Sequence, residues 1–262
     1  MAETGRLSAP TTQPFASPVT LVRVAIIVGI LATWEAVAAS GLLFRDVVPS
    51  LRVIGHAVVE LLADPTYYWN LGVTAGEIGL AMLIGGLAGL SVGILLGSNR
   101  LLSRAFESYL YYLGPTPKII FFPIMIMWFG VGPGSKVAMG VLSCFFPVAL
   151  SAAAGMRTID TVLIRVGRSF RASTWQMVMK IYLPAMRLPI INGVRLGLGV
   201  AIIGTLLAET KLSNKGIGFL IINAYSTFNM PRMYALLIVL FVLSIGVNAL
   251  IGRLGGVGTI KR

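Results

Sequence analysis

Long uncharged apolar runs separated by short polar segments set the pattern of this chain. Ile78 to Gly97, Val137 to Met156 and Met233 to Gly252 each run 20 residues without a charge. At about 1.5 Å per residue, a helix of that length crosses the roughly 30 Å hydrocarbon layer of a bilayer. Ile119 to Ser135 is uncharged for 17 residues and holds Pro123, Trp128 and Phe129, which predicts a span helped by its flanks and kinked at the proline. Leu188 to Glu209 is interrupted by Arg195 and dotted with Gly193, Gly197, Gly199 and Gly204. The first span, Leu21 to Leu43, carries Arg23 at its start and Glu35 inside, leaving eleven uncharged residues, Val24 to Trp34. Because Ala36-Val37-Ala38 follows that short core, a cleaved signal peptide is a rival reading. It is the weaker one, since the polar leader is long and weakly basic and the apolar pattern resumes through Val37 and Leu42. The pattern predicts an all-α, polytopic membrane bundle of six transmembrane helices.

The intervening segments carry their own signals. Residues 1–19 are rich in Pro, Ser, Thr and Ala and read as a flexible tail, residues 20–255 as the membrane domain and residues 256–262 as a basic tail. Pro49 to Leu62 places Leu51, Ile54, Val58, Leu61 and Leu62 at helical spacing, which predicts a short amphipathic surface helix. The longest polar insertion, Arg157 to Arg187, contains Ser173 and Gln176 in a capping box that starts a helix near Thr174. That helix is expected to stop at Leu183, because Pro184 disfavours helix at the residue before it. The insertion is thus a helix-turn-helix exposing Phe170, Trp175 and Met177 beside arginines. Such a surface fits a protein docking site and equally a basic loop on anionic headgroups.

Composition sharpens this picture. Hydrophobic residues make up 56% of the chain and charged residues only 11%, against roughly a quarter charged in soluble proteins. The formal charge of +12 would point to nucleic acid in a soluble chain. Here it sets topology instead. With the amino terminus inside, fifteen of the 21 Lys and Arg fall on inner segments, as the positive-inside rule requires, so both termini are expected to be cytoplasmic. Cys144 lies in an apolar run and reads as a packing residue. His56 has no carboxylates at ligand spacing, so no metal site is expected. Glu35, Glu77, Glu107, Asp160 and Glu209 form no sequence cluster, which argues against a hydrolase. Interrupted spans and membrane-depth charges also suit a secondary transporter or channel not coupled to ATP, but no repeat of three spans is visible.

The polar insertion resembles the cytoplasmic signature loop of binding-protein-dependent ABC importer permeases. That pattern is Glu-Ala-Ala, three residues, Gly, nine residues, then Ile-x-Leu-Pro. Ile181-Tyr182-Leu183-Pro184 matches its end, while Arg171 stands at the glycine and Arg165-Val166-Gly167 at the acidic triplet. Trp128-Phe129-Gly130, Phe145-Phe146-Pro147, the run Gly193 to Gly199, Glu209 and Gly216-Ile217-Gly218-Phe219 support the likeness. Together they resemble the branch that imports nitrate, sulfonates and taurine, over roughly residues 20–255. The resemblance implies a type I importer permease in the bacterial inner membrane. Its partners would be a second permease copy, identical or different, an extracytoplasmic substrate-binding protein and ABC ATPase subunits that use the ATP. The chain lacks a phosphate loop ending in Lys-Ser or Lys-Thr, so no cofactor is expected on it.

The resemblance also assigns roles. Arg165, Gly167, Phe170, Arg171, Ser173, Trp175, Leu183 and Pro184 would form the ATPase-coupling loop, with no catalytic residue. Gly199, Gly204, Thr205 and Glu209 are candidates for the translocation path, with helix packing the alternative for the glycines. Arg195 and Glu209, about 21 Å apart along a helix, are not expected to pair with each other; Arg195 reads best as reaching the headgroups. If Arg171 keeps the positive φ of the family glycine, it adds strain of roughly 1 kcal/mol. Few acids and cations near both mouths favour an anionic or neutral small solute over a divalent cation.

Overall fold

The computed structural model describes residues 18–41 and 47–254. The tail readings for residues 1–17 and 256–262, and the end of the first span beyond residue 41, lie outside the described residues. The chain divides into two compact units, one ending at His56 and one beginning at Ala57. Among the described residues every regular element is helical.

In the first unit, α1 (Pro18–Ser40) is long and apolar enough to span. Its charge has a local explanation. Glu35 Oε2 accepts the Leu51 N–H at 2.9 Å, and Trp34 Nε1 donates to the Pro49 carbonyl at 3.1 Å. The carboxylate therefore satisfies one of the orphan amides at the start of α2 (Leu51–Ala63).

In the second unit, Asp64 caps α3 (Pro65–Ser98) through the Thr66 N–H at 2.9 Å and pairs with Arg232 at 2.7 Å. The Thr66 backbone and hydroxyl, and then Arg232, hold its carboxyl below the usual range. Then follow α4 (Arg100–Leu113), a 3₁₀ turn (Lys118–Phe121), α5 (Phe122–Phe129) and α6 (Pro133–Arg157). The polar hairpin comprises α7 (Thr161–Ser169) and α8 (Thr174–Met177), a π turn (Val178–Tyr182) and α9 (Leu183–Ala185). Last come α10 (Arg187–Lys211), α11 (Ile217–Ser226) and α12 (Met230–Leu254).

Helix α6 is the centre. On one side α3 lays Gly85, Gly89, Gly93 and Gly97 along it, so that a Cβ at Gly89 would stand 2.7 Å from the Phe145 carbonyl and one at Gly93 2.5 Å from Ala152 Cβ. On another side α10 brings Gly193, Gly197 and Gly204 against Ser151, Val148 and Ser143. The spacing of four keeps these glycines on one face of α3, and small residues let backbones approach where no hydrophobic drive separates helix from lipid. Cys144, fully buried, fills the seam opposite Gly85, as expected of a packing residue.

Five helices pass as continuous spans, α1, α3, α6, α10 and α12. The sixth differs from the sequence expectation of a helix over Ile119–Ser135. It begins at Arg100, and its two pieces, Arg100–Leu113 and Lys118–Phe129, meet at 92°. Pro115 and Pro117 explain the break, since neither supplies an amide to a helix. The expected kink at Pro123 is absent because that proline sits in the first turn of α5, where its missing N–H costs nothing. Gly130, at φ 76°, then ends α5, and Pro133 opens α6. Lys118, which the six-span pattern puts among the fifteen inner charges, instead lies against Phe146 near the midpoint of α6, 5.2 Å from the ring centroid.

The seam can be tested by a matched pair of substitutions. Gly93→Val should cost about 2 kcal/mol or more through overpacking and lower the detergent melting temperature, while Gly86→Val, which meets nothing within 4 Å, should leave it nearly unchanged.

Candidate functional site

The polar hairpin is built by two caps. At the end of α7 the Arg171 N–H donates to the Arg168 carbonyl at 2.9 Å and the Ala172 N–H to the Gly167 carbonyl at 3.0 Å. This is a Schellman cap with Arg171 at the left-handed position, φ 49°. The arginine thus keeps the conformation that glycine ordinarily supplies. Two residues on, Ser173 Oγ accepts the Gln176 N–H at 3.3 Å and Gln176 Oε1 accepts the Ser173 N–H at 2.8 Å, completing the expected capping box.

Gly167 is buried where the two arms touch; a Cβ there would stand 2.6 Å from Met177 Sδ. Met177 is therefore inside the hairpin, 6% exposed, and not on its surface as the sequence reading had it. A helical methionine one turn from the cap was ambiguous in sequence, and Gly167 is the partner that draws it inward. Phe170 and Trp175 are exposed at 83% and 68%, and Arg165, Arg171 and Ser173 share the exposed surface. Pro184 does not end the helix. The Leu183 N–H reaches back five residues to Val178, and this π turn carries the chain through the proline to Ala185. Leu183 is half-buried and Pro184 exposed.

The four candidates on α10 separate. Gly199 is exposed and meets nothing within 4 Å. Gly204 packs on Ser143, and Thr205, fully buried, stands beside Gly140. Glu209, also fully buried, accepts the Thr74 hydroxyl at 2.7 Å and the Gly218 N–H at 2.6 Å. The Ile217 N–H donates to Thr74 Oγ1 at 2.8 Å and the Gly216 N–H to Asn70 Oδ1 at 2.7 Å. Three successive amides at the start of α11 are thereby capped by side chains of α3 and α10. Gly216, at φ 99°, is required, because the Glu209 carboxylate occupies the place of its Cβ.

Glu77 lies against Glu209, with Lys136 beside both. Sequence reasoning missed Asn70, Thr74, Glu77 and Lys136 as one cluster. The available signal was the spacing of 70, 74 and 77, which puts three polar residues on one face of an otherwise apolar helix. Arg195 donates through Nε to Asn248 Oδ1 of α12 at 2.9 Å, so it has a partner within the bundle rather than reaching only for headgroups. At the end opposite the hairpin, a cavity of about 820 Å³ is lined by Lys211, Ser213, Asn214, Asn223, Ser226 and Thr227, among others. Among the described residues no group of His, Cys, Asp and Glu is placed to hold a metal.

Among the described residues, five helices long and apolar enough to span and one bent helix pair, set around a glycine-seamed core with a capped polar hairpin, define a multi-pass helical membrane protein. The family model described as "Binding-protein-dependent transport system inner membrane component" matches residues 85–255. The chain belongs to that family, the membrane-embedded permeases of ABC importers.

Among its relatives is the putative aliphatic sulfonates transport permease protein SsuC of Bacillus subtilis, 30% identical over 80% of this chain and 76% of that protein. The taurine transport system permease protein TauC of Escherichia coli is 29% identical over 86% of this chain and 85% of that protein. In fold the chain is similar to a chain of the MetNI methionine ABC transporter in an inward-facing conformation. That match has a TM-score of 0.60 and 20% identity, covering 80% of this chain and 97% of that one.

Two outcomes follow from the caps. Arg171→Gly should stabilise the hairpin by about 1 kcal/mol through relief of left-handed strain, read as slower hydrogen exchange across residues 161–177. Glu209→Ala should speed exchange of the Gly218 amide by tenfold or more, about 1.4 kcal/mol, because it leaves a buried donor unpaired.

Proposed function

We propose that this chain forms the translocation path for a small sulfonate-, taurine- or nitrate-like anion and couples it to a separate ATPase that docks on the α7–α8 hairpin. The observation that carries the coupling half is the pair Phe170 and Trp175, two large aromatics held outward at 83% and 68% exposure on a doubly capped turn. Capping removes the ordering cost that a loose loop would meet on binding, and buried aromatics concentrate docking energy. The solute half is supported by the sulfonate and taurine names of the relatives and by the absence of a carboxylate cluster suited to a divalent cation among the described residues.

In this reading ATP is used by the partner subunit, an extracytoplasmic binding protein delivers solute to the cavity at the far end, and a second permease copy, identical or not, completes the path. Gly199 faces the path, while Gly204, Thr205 and Glu209 form the wall behind it. Both termini are cytoplasmic: the hairpin end carries Arg157, Arg165, Arg168, Arg171, Lys180, Arg187 and Arg253, and moving Lys118 off the inner count leaves the asymmetry in place.

Phe170→Ala with Trp175→Ala should leave the chain in the membrane and remove the ATPase from mild-detergent co-purification, by about 2 kcal/mol or more per aromatic; undiminished co-purification would overturn the docking role. In a Cys144→Ser background, impermeant thiol reagent applied to intact cells should label Asn214→Cys and spare Ser169→Cys. The reverse pattern would invert the topology.

A further inference from the structure

A spanning helix satisfies its own backbone, and a break at membrane depth is tolerated only where protein buries it or water reaches it. The break at Gly114-Pro115-Thr116-Pro117 lies level with the middle of the spanning helix α6. Gly114 faces the Phe146 side chain, a Cβ there standing 3.8 Å from Phe146 Cβ. Phe146 is about 20 Å from Pro133 and about 16 Å from Arg157 along α6, taking 1.5 Å per residue. The two pieces also pack on different partners. The α4 residue Leu110 joins Leu96 and Phe146, whereas the α5 residue Phe122 joins Met139 and Ala208 of α6 and α10.

The chain places a cation at this break. Lys118 Nζ donates to the Gly114 carbonyl and, at 3.4 Å, to the Thr116 carbonyl, with the Phe146 ring 5.2 Å away. These are two neutral acceptors for a group with three donors. The ion pairs Arg157–Glu107 and Arg232–Asp64 do not involve Lys118. Pro115, Pro117 and Ile120, within three residues of Lys118 in the chain, are exposed. A half-buried charge without a carboxylate partner, beside open backbone, is costly against lipid on that side. Water or a second copy across a water-filled path is compatible.

We propose that the α4–α5 break lines the solute path and that Lys118 is an anion-holding site there, taking a singly charged oxyanion of the sulfonate or nitrate type between its ammonium and the path water. The carbonyls of Gly114 and Thr116 aim the ammonium, and the lack of a carboxylate partner leaves it free for a transient anion. This deepens the transport reading above by naming a residue that meets the solute.

The test reads water and charge at the break whichever solute is imported, so its failure leaves the permease assignment and the hairpin role standing. In membranes holding the complete transporter, Thr116→Cys and, separately, Ile120→Cys are introduced in a Cys144→Ser background. Each is reacted with a methanethiosulfonate bearing an ethylsulfonate and with one bearing a trimethylammonium. The expected result is a preference for the anionic reagent at least about tenfold above that of a free thiol in water, kept by Lys118→Arg and lost in Lys118→Gln. Ethanesulfonate should slow the labelling and equimolar glycerol should not. No labelling of either cysteine would show the break to be packed or lipid-facing, and a preference that survives Lys118→Gln would remove Lys118 from the site; either result overturns the proposal. If Lys118→Gln does not accumulate, ethanesulfonate protection with Lys118 intact decides: protection supports the site, and its absence overturns it.

Discussion

The fold depends on how closely two helices approach α6. Four glycines on α3 and three on α10 leave no Cβ at the contact, so backbone meets backbone or β-carbon on two sides of one helix. Dispersion falls steeply with distance, and lipid tails match any apolar side chain in hydrophobicity, so this proximity is what makes protein preferable to lipid as a neighbour. The seam also fixes register. A slip of one residue would swing the α3 glycines by about 100° and carry side chains into α6. Once α3 and α10 are fixed, Asn70, Thr74 and Glu209 are fixed as well, and the α11 amides find their acceptors in place.

Satisfying backbone groups is the second theme of the molecule. Helix ends and breaks are met by side chains, near or distant in the chain: Glu35 for α2, Asp64 for α3, the Asn70–Thr74–Glu209 group for α11 and Lys118 for the bent helix pair. Several charges that look out of place in an apolar sequence are therefore caps, which is the use of polar groups a low-dielectric surrounding demands. Arg171 and Phe228, the two non-glycine residues at positive φ among those described, end α7 and α11 in the same kind of turn.

Much of this was legible in the sequence, for reasons that also mark where reading fails. Spans such as Val137–Met156 were visible because hydropathy is a one-dimensional property. The Ser173–Gln176 capping box was visible because its partners lie three residues apart. The third span misled because its first half, Arg100–Leu113, is amphipathic, with charges that mask a segment buried on one side. Pro184 misled because a π turn changes the local hydrogen-bond count, and no composition rule encodes that. Glu77 and Glu209 are 132 positions apart, so their meeting is a property of the α3–α6–α10 packing alone. Met177 and Gly199 were placed by contacts, or the lack of them, that no periodicity reveals.

One further property follows from the π turn and the single non-helical residue after α9. Between Thr174 and Lys211 only Met186 leaves the helical conformation, and it is fully buried beside Ala152, Met156 and Ile159. The Met186 N–H still bonds back to Tyr182, and its carbonyl forward to Ile190, each at 2.9 Å. The second arm of the hairpin and α10 are thus one crank with a clamped elbow. The helical path from Thr174 to Lys211 therefore contains no loose loop, and its far end holds Glu209 and the start of α11.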